Sequence, residues 1–383
     1  MLFDRLSEGE RKLLAELERE PGFYGVLRPR GGAPNGSPKG ALSIKAVDRD
    51  TALLLFTLRE PGPLPAYALE QFGHEAGRAV ARLVADGVLE IARGDGFVSG
   101  AAARPFFANG EGERAVADGR IARLSHDALR YAAALPIDDA LALSARLYGY
   151  NRRPLTPRWK RLLPDTAAVR AFLGLARSGP AAALIARDWQ ELAPHPAWIS
   201  FRAREEAADA ESRFGAAGPT YKLYVSPEPE RLADGGFAAV VAALGELRVA
   251  QFKVGADAAG LLRPDKIVAY FGDFESLARA ARGLLPALAG APAHGVPFTA
   301  EIGDSGLLSW GADPPRGEGL PWEGEASWRL WLAHRLARAL LSARSAPDCD
   351  GAASAVSFAL ERLRLEGVDT ATWAPRAALW KEG

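Results

Sequence analysis

Six residues in one stretch of the chain, residues 221–270, have side chains that could together bind an anion. They are Lys222, Lys253, Arg263, Tyr221, Tyr224 and Tyr270. An ammonium group binds an anion as a compact point charge, and a guanidinium offers a planar fork that matches two oxygens of a phosphate. A lysine could also act as a base, provided that burial or neighbouring positive charge lowers its pKa toward neutral pH. Each cation alone could be a plain surface charge, because long charged side chains are mostly exposed, but the grouping favours an anion site.

Three short apolar runs carry the lysines and the tyrosines, and each run is typical of a β-strand; Arg263 stands just before the last run. The runs are YKLYV (221–225), VAQFKV (249–254) and KIVAYF (266–271), with a helix predicted over 236–247 between the first two. Lys222 and Lys253 interrupt runs that would otherwise be buried, so we expect both to point to the open face of a sheet. Lys253 has the most apolar neighbours of the three cations, which makes it the candidate base.

The composition of the whole chain is that of an ordinary globular protein, and its length of 383 residues predicts two or three domains. Its 47 basic and 47 acidic residues cancel, so net charge gives no support to the class of nucleic-acid-binding proteins. A single cysteine excludes an intrachain disulfide, and the five histidines lack the spacing of a metal site. We therefore predict no metal and no cofactor. No run reaches the roughly 18 apolar residues of a membrane span, so we predict no membrane partner and a cytoplasmic location.

The first hundred residues follow the order of a winged helix. A helix is predicted over 7–20 and a strand over ALSIKAV (41–47); three helices follow, and VLEIARGDGFVSG (88–100) is typical of a hairpin. We predict an α+β protein with a winged-helix domain at 1–105, a helical connector at 106–200, an α+β domain at 201–345 and a helical tail at 346–383. Candidate helices of the connector cover 121–134, 137–148, 166–178 and 180–192.

Two segments leave nucleic-acid binding open as an alternative. The helix predicted at 75–86, which would read DNA in a winged helix, offers only Arg78 and Arg82, with Glu75 and Asp86 opposing them. Residues 148–164, YGYNRRPLTPRWKRLLP, combine basic and aromatic side chains as a nucleic-acid or phosphate surface does. A solvated loop whose arginines pair with nearby acids explains the second segment equally simply, and we favour that interpretation.

A helix predicted over 327–342 places its tryptophans and leucines on one side and leaves three arginines elsewhere. They are Arg329, Arg335 and Arg338. Solvation alone would explain these side chains, but a phosphate ligand could use some of them. We include Arg329 and Arg335 in the predicted phosphate site.

The succession YKLYV, FKV, Arg263 and VAYF resembles the HopA-type secreted-effector family and the lyase subunits of kinase–lyase lanthipeptide synthetases. These are similar in turn to the phosphothreonine lyases secreted by bacterial pathogens. The resemblance covers residues 200–345, and it implies that Lys222, Lys253, Arg263 and Tyr270 match the two lysines, the arginine and the tyrosine of those lyases. Tyr224 stands where the lyases keep a histidine.

Residues 40–100 resemble the winged-helix domains that bind leader peptides in pathways to ribosomally made peptide natural products (RiPPs). In such domains the peptide adds to the sheet as an extra strand. The resemblance implies that the leader peptide lies along one predicted strand, which consists of Ser43, Ile44, Lys45, Ala46 and Val47.

Together these observations predict a maturation lyase that eliminates phosphate from phosphoserine or phosphothreonine of a lanthipeptide-like precursor. Lys253 would be the base and Tyr224 would supply the proton in place of histidine; Lys222, Arg263 and Tyr270 would hold the phosphate. No kinase motif occurs in the sequence, so a separate kinase chain would make the substrate. Two other classes stay open. The tyrosine at position 224 supports an inactive adaptor that binds phosphorylated or acidic partners, and the winged helix with the basic run at 152–161 supports a DNA-binding regulator.

Overall fold

The computed structural model describes residues 8–17, 23–27, 45–48, 70, 73–107, 119–204, 219–314, 327–346 and 351–376. The chain divides into two compact units, Met1–Ser99 and Gly100–Gly383. Among the described residues, no helix is long and apolar enough to span a membrane, and no three or more His, Cys, Asp or Glu residues are grouped so that they could hold a metal ion.

The described residues of the first unit form two small antiparallel sheets and two helices. Its elements are α1 (Glu8–Leu17), β1 (Phe23–Leu27), β2 (Lys45–Asp48), a 3₁₀ turn (Gly73–Glu75), α2 (Ala76–Ala85), β3 (Ile91–Arg93) and β4 (Gly96–Val98). The hairpin of β3 and β4 is confirmed; Gly94 opens its turn with a φ of 60°, which glycine adopts without strain. The strand β1 was not predicted, and it pairs with β2.

Several predicted parts of the winged helix lie outside the described residues. These include the helices predicted between β2 and α2, and also Ser43 and Ile44 of the predicted peptide-binding strand. Lys45, Ala46 and Val47 lie in β2, opposite Leu27, Val26 and Gly25.

The second unit is built around a seven-stranded sheet in which every neighbouring pair of strands is antiparallel. Its strands are β5 (Trp189–Glu191), β6 (Trp198–Ala203), β7 (Tyr221–Val225), β8 (Gln251–Gly255), β9 (Ile267–Phe271), β10 (Ala300–Ile302) and β11 (Leu308–Ala312). They lie in the order β10-β11-β7-β9-β8-β6-β5. The α+β class is confirmed, and the three strands predicted over 221–271 form the middle of the sheet.

Helices cover both faces of this sheet. They are α3 (Arg104–Phe107), α4 (Arg120–Ala134), α5 (Ala140–Tyr148), α6 (Pro157–Leu162), α7 (Thr166–Phe172), α8 (Pro180–Asp188), α9 (Gly236–Glu246), α10 (Ala258–Leu261), α11 (Phe274–Leu284), α12 (Trp328–Arg344) and α13 (Gly351–Leu365). A short pair of strands, β12 (Val368–Asp369) and β13 (Ala374–Pro375), follows α13.

The alternation of side chains along each strand gives the sheet a core face and a second face. Leu223, Phe252 and Ala269 belong to the main hydrophobic core, together with residues of α9 and α11. The alternate positions of the same strands belong to the second face. There Trp328, at the start of α12, packs so closely on Gly311 that a Cβ at this position would lie 2.4 Å from its ring. The second face therefore receives the lysines, and the start of α12 covers part of it.

Two of the predicted helix ends were wrong. The helix predicted at 180–192 ends at Asp188 and continues as β5, because the Trp189 side chain is buried and its indole N–H donates to the Val249 carbonyl at 3.2 Å. The helix predicted at 166–178 ends at Phe172. The strand β11 at residues 308–312 was not predicted. The strand β6 begins at Trp198, so the predicted connector, 106–200, contributes all of β5 and part of β6 to the sheet.

Candidate functional site

Two cross-strand rows on the second face bring four of the predicted residues together, whereas Tyr221 lies on the core face, where its ring packs against Phe274 and Trp310. In one row Lys222 of β7 lies opposite Tyr270 of β9, which lies opposite Gln251 of β8. In the next row Tyr224, Val268, Lys253 and Ser200 follow one another across β7, β9, β8 and β6. Directly opposed residues have their Cβ atoms about 5 Å apart, so the side chains of both rows are within reach of one another.

Lys253 is enclosed by aromatic rings. Its Nζ lies 4.3 Å from the centroid of the Trp198 ring and 5.4 Å from that of Tyr270. Among the described residues it has no hydrogen-bond or ion-pair partner. Burial, together with the positive charges of Lys222 and Arg263, lowers the pKa of Lys253 to about 8, while Asp265 and Asp313 act in the opposite direction. A substantial fraction of these amines is therefore uncharged at mildly alkaline pH.

Lys222 points toward the same ring from the neighbouring strand. Its Nζ lies 5.7 Å from the centroid of Tyr270, and it forms an ion pair with Asp313, just after β11. The Asp313 side chain retains 37% of its exposed surface, against 13% for Lys222. An incoming anion could therefore replace Asp313 as the partner of Lys222 without a buried carboxylate being left unpaired.

Arg263 is held by two neighbours. Its Nε and Nη2 donate to the two carboxylate oxygens of Asp265 at 2.8 and 2.9 Å, and Nη2 also donates to the Tyr148 hydroxyl at 2.6 Å. Its guanidinium lies 5.1 Å from the centroid of Trp198, the ring that also contacts Lys253. Burial opposes the charge of Arg263, but the hydrogen bonds and the charge of Asp265 outweigh burial and raise its pKa. Nη1 has no hydrogen-bond partner among the described residues and is the guanidinium donor left for a ligand.

Asp265 joins Arg263 to Arg329, the first of the two α12 arginines predicted to bind phosphate. Arg329 is 1% exposed; its Nη1 donates to Asp265 at 2.8 Å, and its other donors reach the carbonyls of Pro297 and Tyr148. Burial would raise the pKa of Asp265, but the charges of Arg329 and Arg263 prevail and lower it, so this carboxylate stays ionised. Arg329 thus anchors Asp265, and Asp265 orients Arg263.

Tyr224 and Tyr270 retain their protons. Burial raises the pKa of Tyr224 well above its ordinary value, and burial raises that of Tyr270 as well. Tyr224 is only 3% exposed and lies in the row of Lys253. Both phenols can therefore donate a hydrogen bond to an anion, and neither acts as a phenolate.

Arg335 is not brought to this site. It lies about 9 Å further along α12 than Arg329, pairs with Glu366 after α13, and places its guanidinium 3.8 Å from the centroid of Trp331. The predicted role of Arg335 in phosphate binding has no support, because its ion pair with Glu366 joins α12 to the segment after α13.

Three residues of the site were missed by the sequence reasoning: Tyr148, Trp198 and Asp265. The first two lie in the predicted connector, where helical patterning gave no reason to associate them with strands far along the chain. Asp265 could have been found, because a carboxylate two residues after Arg263 can form a local ion pair.

A second buried lysine lies just before β9 and is fully enclosed. The Lys266 Nζ donates to the Pro227 carbonyl at 2.9 Å and lies 2.9 Å from His294 Nδ1, whose Nε2 lies 2.5 Å from the Asn151 carbonyl. Burial lowers the pKa of Lys266 to about 7 and, with the charge of Lys266, that of His294 to about 3. Because Lys266 has no exposed surface, its amine joins the loops around the site and cannot meet a substrate.

Comparisons with known proteins find only a limited similarity between this chain and two solved structures. No protein-family model and no curated protein matches the sequence. Among solved structures, the chain is similar to the effector proteins of Pseudomonas syringae pv. syringae strain 61 and of Pseudomonas syringae pv. tomato strain DC3000, each at 14% identity. The first match covers 67% of this chain and 98% of the effector with a TM-score of 0.39; the second covers 68% and 98% with a TM-score of 0.38. At this identity, the roles of the residues follow from the geometry of this chain alone.

Proposed function

We propose that the protein is a lyase that eliminates phosphate from phosphoserine or phosphothreonine of a precursor peptide and leaves a dehydroamino acid. The observation that carries this proposal is the environment of Lys253: a largely buried amine with no hydrogen-bond partner among the described residues, beside Trp198 and Tyr270, with Lys222 and Arg263 as its charged neighbours. Such an amine is a base at near-neutral pH, and its cationic neighbours suit a phosphate dianion.

The reaction needs no change of oxidation state. The uncharged amine of Lys253 takes the Cα proton, the electrons of the C–H bond form the Cα=Cβ double bond, and the Cβ–O bond breaks. The phosphate leaves with the electrons of that bond, and the proton remains on Lys253 as an ammonium. Phosphoserine would give dehydroalanine, and phosphothreonine would give dehydrobutyrine.

The cations of the site would hold the leaving group. Lys222 would exchange Asp313 for the phosphate, and Arg263 would donate from Nη1 while Asp265 fixes the rest of its fork. Tyr270 lies between the two lysines and would donate its hydroxyl hydrogen. Tyr224 would donate to the ester oxygen, as a weaker acid than the histidine in the lyases that this sequence resembles.

Two further parts of the proposal concern partners. The first unit would bind the leader peptide along β2, and a separate kinase chain would supply the phosphorylated residue in the cytoplasm. The pairing of β2 with β1 supports the presence of a sheet to which a peptide strand could add.

The test is turnover of a phosphothreonine peptide, followed by release of inorganic phosphate and by mass spectrometry of the alkene product. Lys253→Ala should lower the rate about a hundredfold or more, because general base catalysis contributes at least that much. Arg279→Gln on α11, which packs on the core face, is the control and should leave the rate unchanged. An undiminished rate in Lys253→Ala would refute the assignment.

An adaptor that binds phosphopeptides without turnover is the second candidate. It is favoured by Tyr224, whose pKa is raised by burial, so that it is a poor proton donor to a leaving group. Binding of a phosphopeptide with no phosphate release from the wild-type protein would identify the adaptor. A DNA-binding regulator has less support, because Arg78 of α2 pairs with Glu75 at 3.0 Å.

A further inference from the structure

Four cations that follow Tyr148 in the chain have no acidic partner among the described residues. Arg152, Arg158, Lys160 and Arg161 are exposed, and among the described residues their side chains form no ion pair or hydrogen bond. We call these four residues the basic segment. The interpretation of 148–164 as a loop of paired arginines applies to Arg153 alone, which binds Glu228 with two donors.

The helix α6 keeps three of these charges in solvent. Pro157 begins the helix, and Thr156 caps it by accepting a hydrogen bond from the Trp159 amide. Trp159 and Leu163, one turn apart, enter the main core. Arg158, Lys160 and Arg161 therefore project from the remaining surface of the helix, with Arg158 and Arg161 as neighbours.

The chain just before α6 is tied to the candidate site. The amide of Arg153 donates to the carbonyl of Leu262 at 2.9 Å, and Leu262 immediately precedes Arg263. The Asn151 side chain donates to the carbonyls of His294 and Gly295, both at 2.9 Å, and so holds the preceding turn. Arg158 follows Arg153 by five residues, so their Cα atoms are at most about 18 Å apart.

We propose that the basic segment binds an acidic stretch of the substrate peptide, within about six residues of the phosphorylated residue. The proposal rests on the proposed function, and it adds the class of peptide that the site prefers. An extended peptide advances about 3.3 Å per residue, so five or six residues cover the distance from Arg153 to α6. Guanidinium groups pair well with carboxylates, and the exposed Leu155 and Leu162 add apolar contacts for a peptide.

The same residues disfavour a nucleic acid as the occupant. Binding of single strands uses exposed aromatic rings on which bases stack. Here Trp159 is buried against Phe172, Tyr148 lies under Arg263 and Arg329, and the Tyr150 ring packs against Tyr131. The aromatic residues that made 148–164 typical of a nucleic-acid surface are therefore engaged within the protein.

The experiment measures the affinity of labelled peptides by fluorescence anisotropy. The acidic peptide carries phosphothreonine and glutamates three to six residues from it; one version has the glutamates on the N-terminal side and another on the C-terminal side. The neutral peptide has glutamines in place of the glutamates. An unphosphorylated version of the acidic peptide and a single-stranded oligonucleotide complete the set. We expect the wild-type protein to bind the acidic phosphopeptide about tenfold more tightly than the neutral one, since each exposed ion pair contributes modestly.

The variant combines Arg158→Gln, Lys160→Gln and Arg161→Gln, and the control combines Arg279→Gln and Arg282→Gln on α11. The triple variant should lose the preference for the acidic peptide and keep its affinity for the neutral phosphopeptide, whereas the control should keep both. Thermal unfolding verifies the fold of each variant. If the triple variant does not fold, Arg161→Gln alone should reduce the preference about twofold.

The outcomes separate this proposal from the proposed function. A preference that depends on the basic segment, without phosphate release, would support the surface and refute the lyase. Phosphate release with equal affinity for acidic and neutral peptides would support the lyase and refute the surface. Tighter binding of the oligonucleotide than of the acidic peptide, lost in the triple variant, would also overturn the proposal and identify a nucleic-acid surface.

Discussion

Lys253 and Lys266 show how the surroundings of a lysine decide what it can do. Burial is the main cause of the lowered pKa of both. The Lys266 amine has no solvent-exposed surface and forms hydrogen bonds with Pro227 and His294. Lys253 has no hydrogen-bond partner among the described residues. The aromatic rings beside Lys253 interact with a cation and do not take its lone pair. A lowered pKa and an amine without a polar partner occur together at Lys253 alone in the candidate site.

The pH dependence of turnover tests this environment. The elimination needs the uncharged amine, so kcat/KM should rise with pH and level off above the pKa of Lys253, near 8. Lys222→Gln removes a positive neighbour that lowers this pKa, so the midpoint should move to higher pH. Rates across pH 6 to 10 provide the measurement, with Arg279→Gln as the matched control. A midpoint that stays in place in Lys222→Gln would contradict the coupling between the two lysines.

Asp265 provides a prediction about stability. Asp265→Asn leaves Arg329, which is 1% exposed, without its carboxylate, and loss of one member of a buried pair costs about 3–5 kcal/mol. Asp313→Asn, which removes the partner of Lys222, should cost less than Asp265→Asn, because 37% of the Asp313 side chain is exposed, against 7% for Asp265. Urea denaturation of the two variants compares these losses directly. Equal losses would mean that the Asp265 pair is no more important to folding than a surface pair.

At the scale of secondary structure, the alternation of β7, β8 and β9 was sufficient to place the lysines on one face. Period-two patterning predicts which side chains share a face, and the register then brings Lys222, Tyr270 and Lys253 together. The strands β5, β6 and β11 escaped prediction because their formation depends on partners distant in the chain, as the bond from Trp189 to Val249 shows. For the same reason Trp198 on β6 was missed as a member of the site.

The contact between β11 and α12 gives a test at this scale. A Cβ at Gly311 would lie 2.4 Å from the Trp328 ring, which is fully buried and cannot move aside, so Gly311→Ala should lower the free energy of unfolding by about 1–3 kcal/mol. Because Arg329 follows Trp328, phosphopeptide affinity should fall as well. Gly77→Ala in α2, where a Cβ meets no atom within 4 Å, is the control and should be neutral or slightly stabilising. Denaturation and anisotropy with the phosphopeptide measure the two effects.

At the scale of the whole molecule, a formal net charge of zero conceals a local excess of positive charge. Lys222, Lys253, Arg263 and Arg329 meet on the second face of the sheet, and the basic segment, which begins four residues after Tyr148, adds four exposed cations. Within the site, Asp265 and Asp313 compensate part of this charge, while the basic segment has no acidic partner among the described residues. Composition could not predict this distribution, because it depends on which side chains the sheet brings together and which ones α6 leaves exposed.

This distribution predicts two different responses to salt. The Debye length falls from about 10 Å at 0.1 M to about 3 Å at 1 M salt, which screens exposed charges far more than buried ones. The affinity for the acidic phosphopeptide should therefore fall with added sodium chloride until it approaches that of the neutral phosphopeptide. The neutral peptide, held by the phosphate contacts of Lys222 and Arg263 within the site, should lose less. Anisotropy titrations between 0.05 and 0.5 M salt measure both curves, and a parallel decline would mean that the buried site alone accounts for the salt dependence.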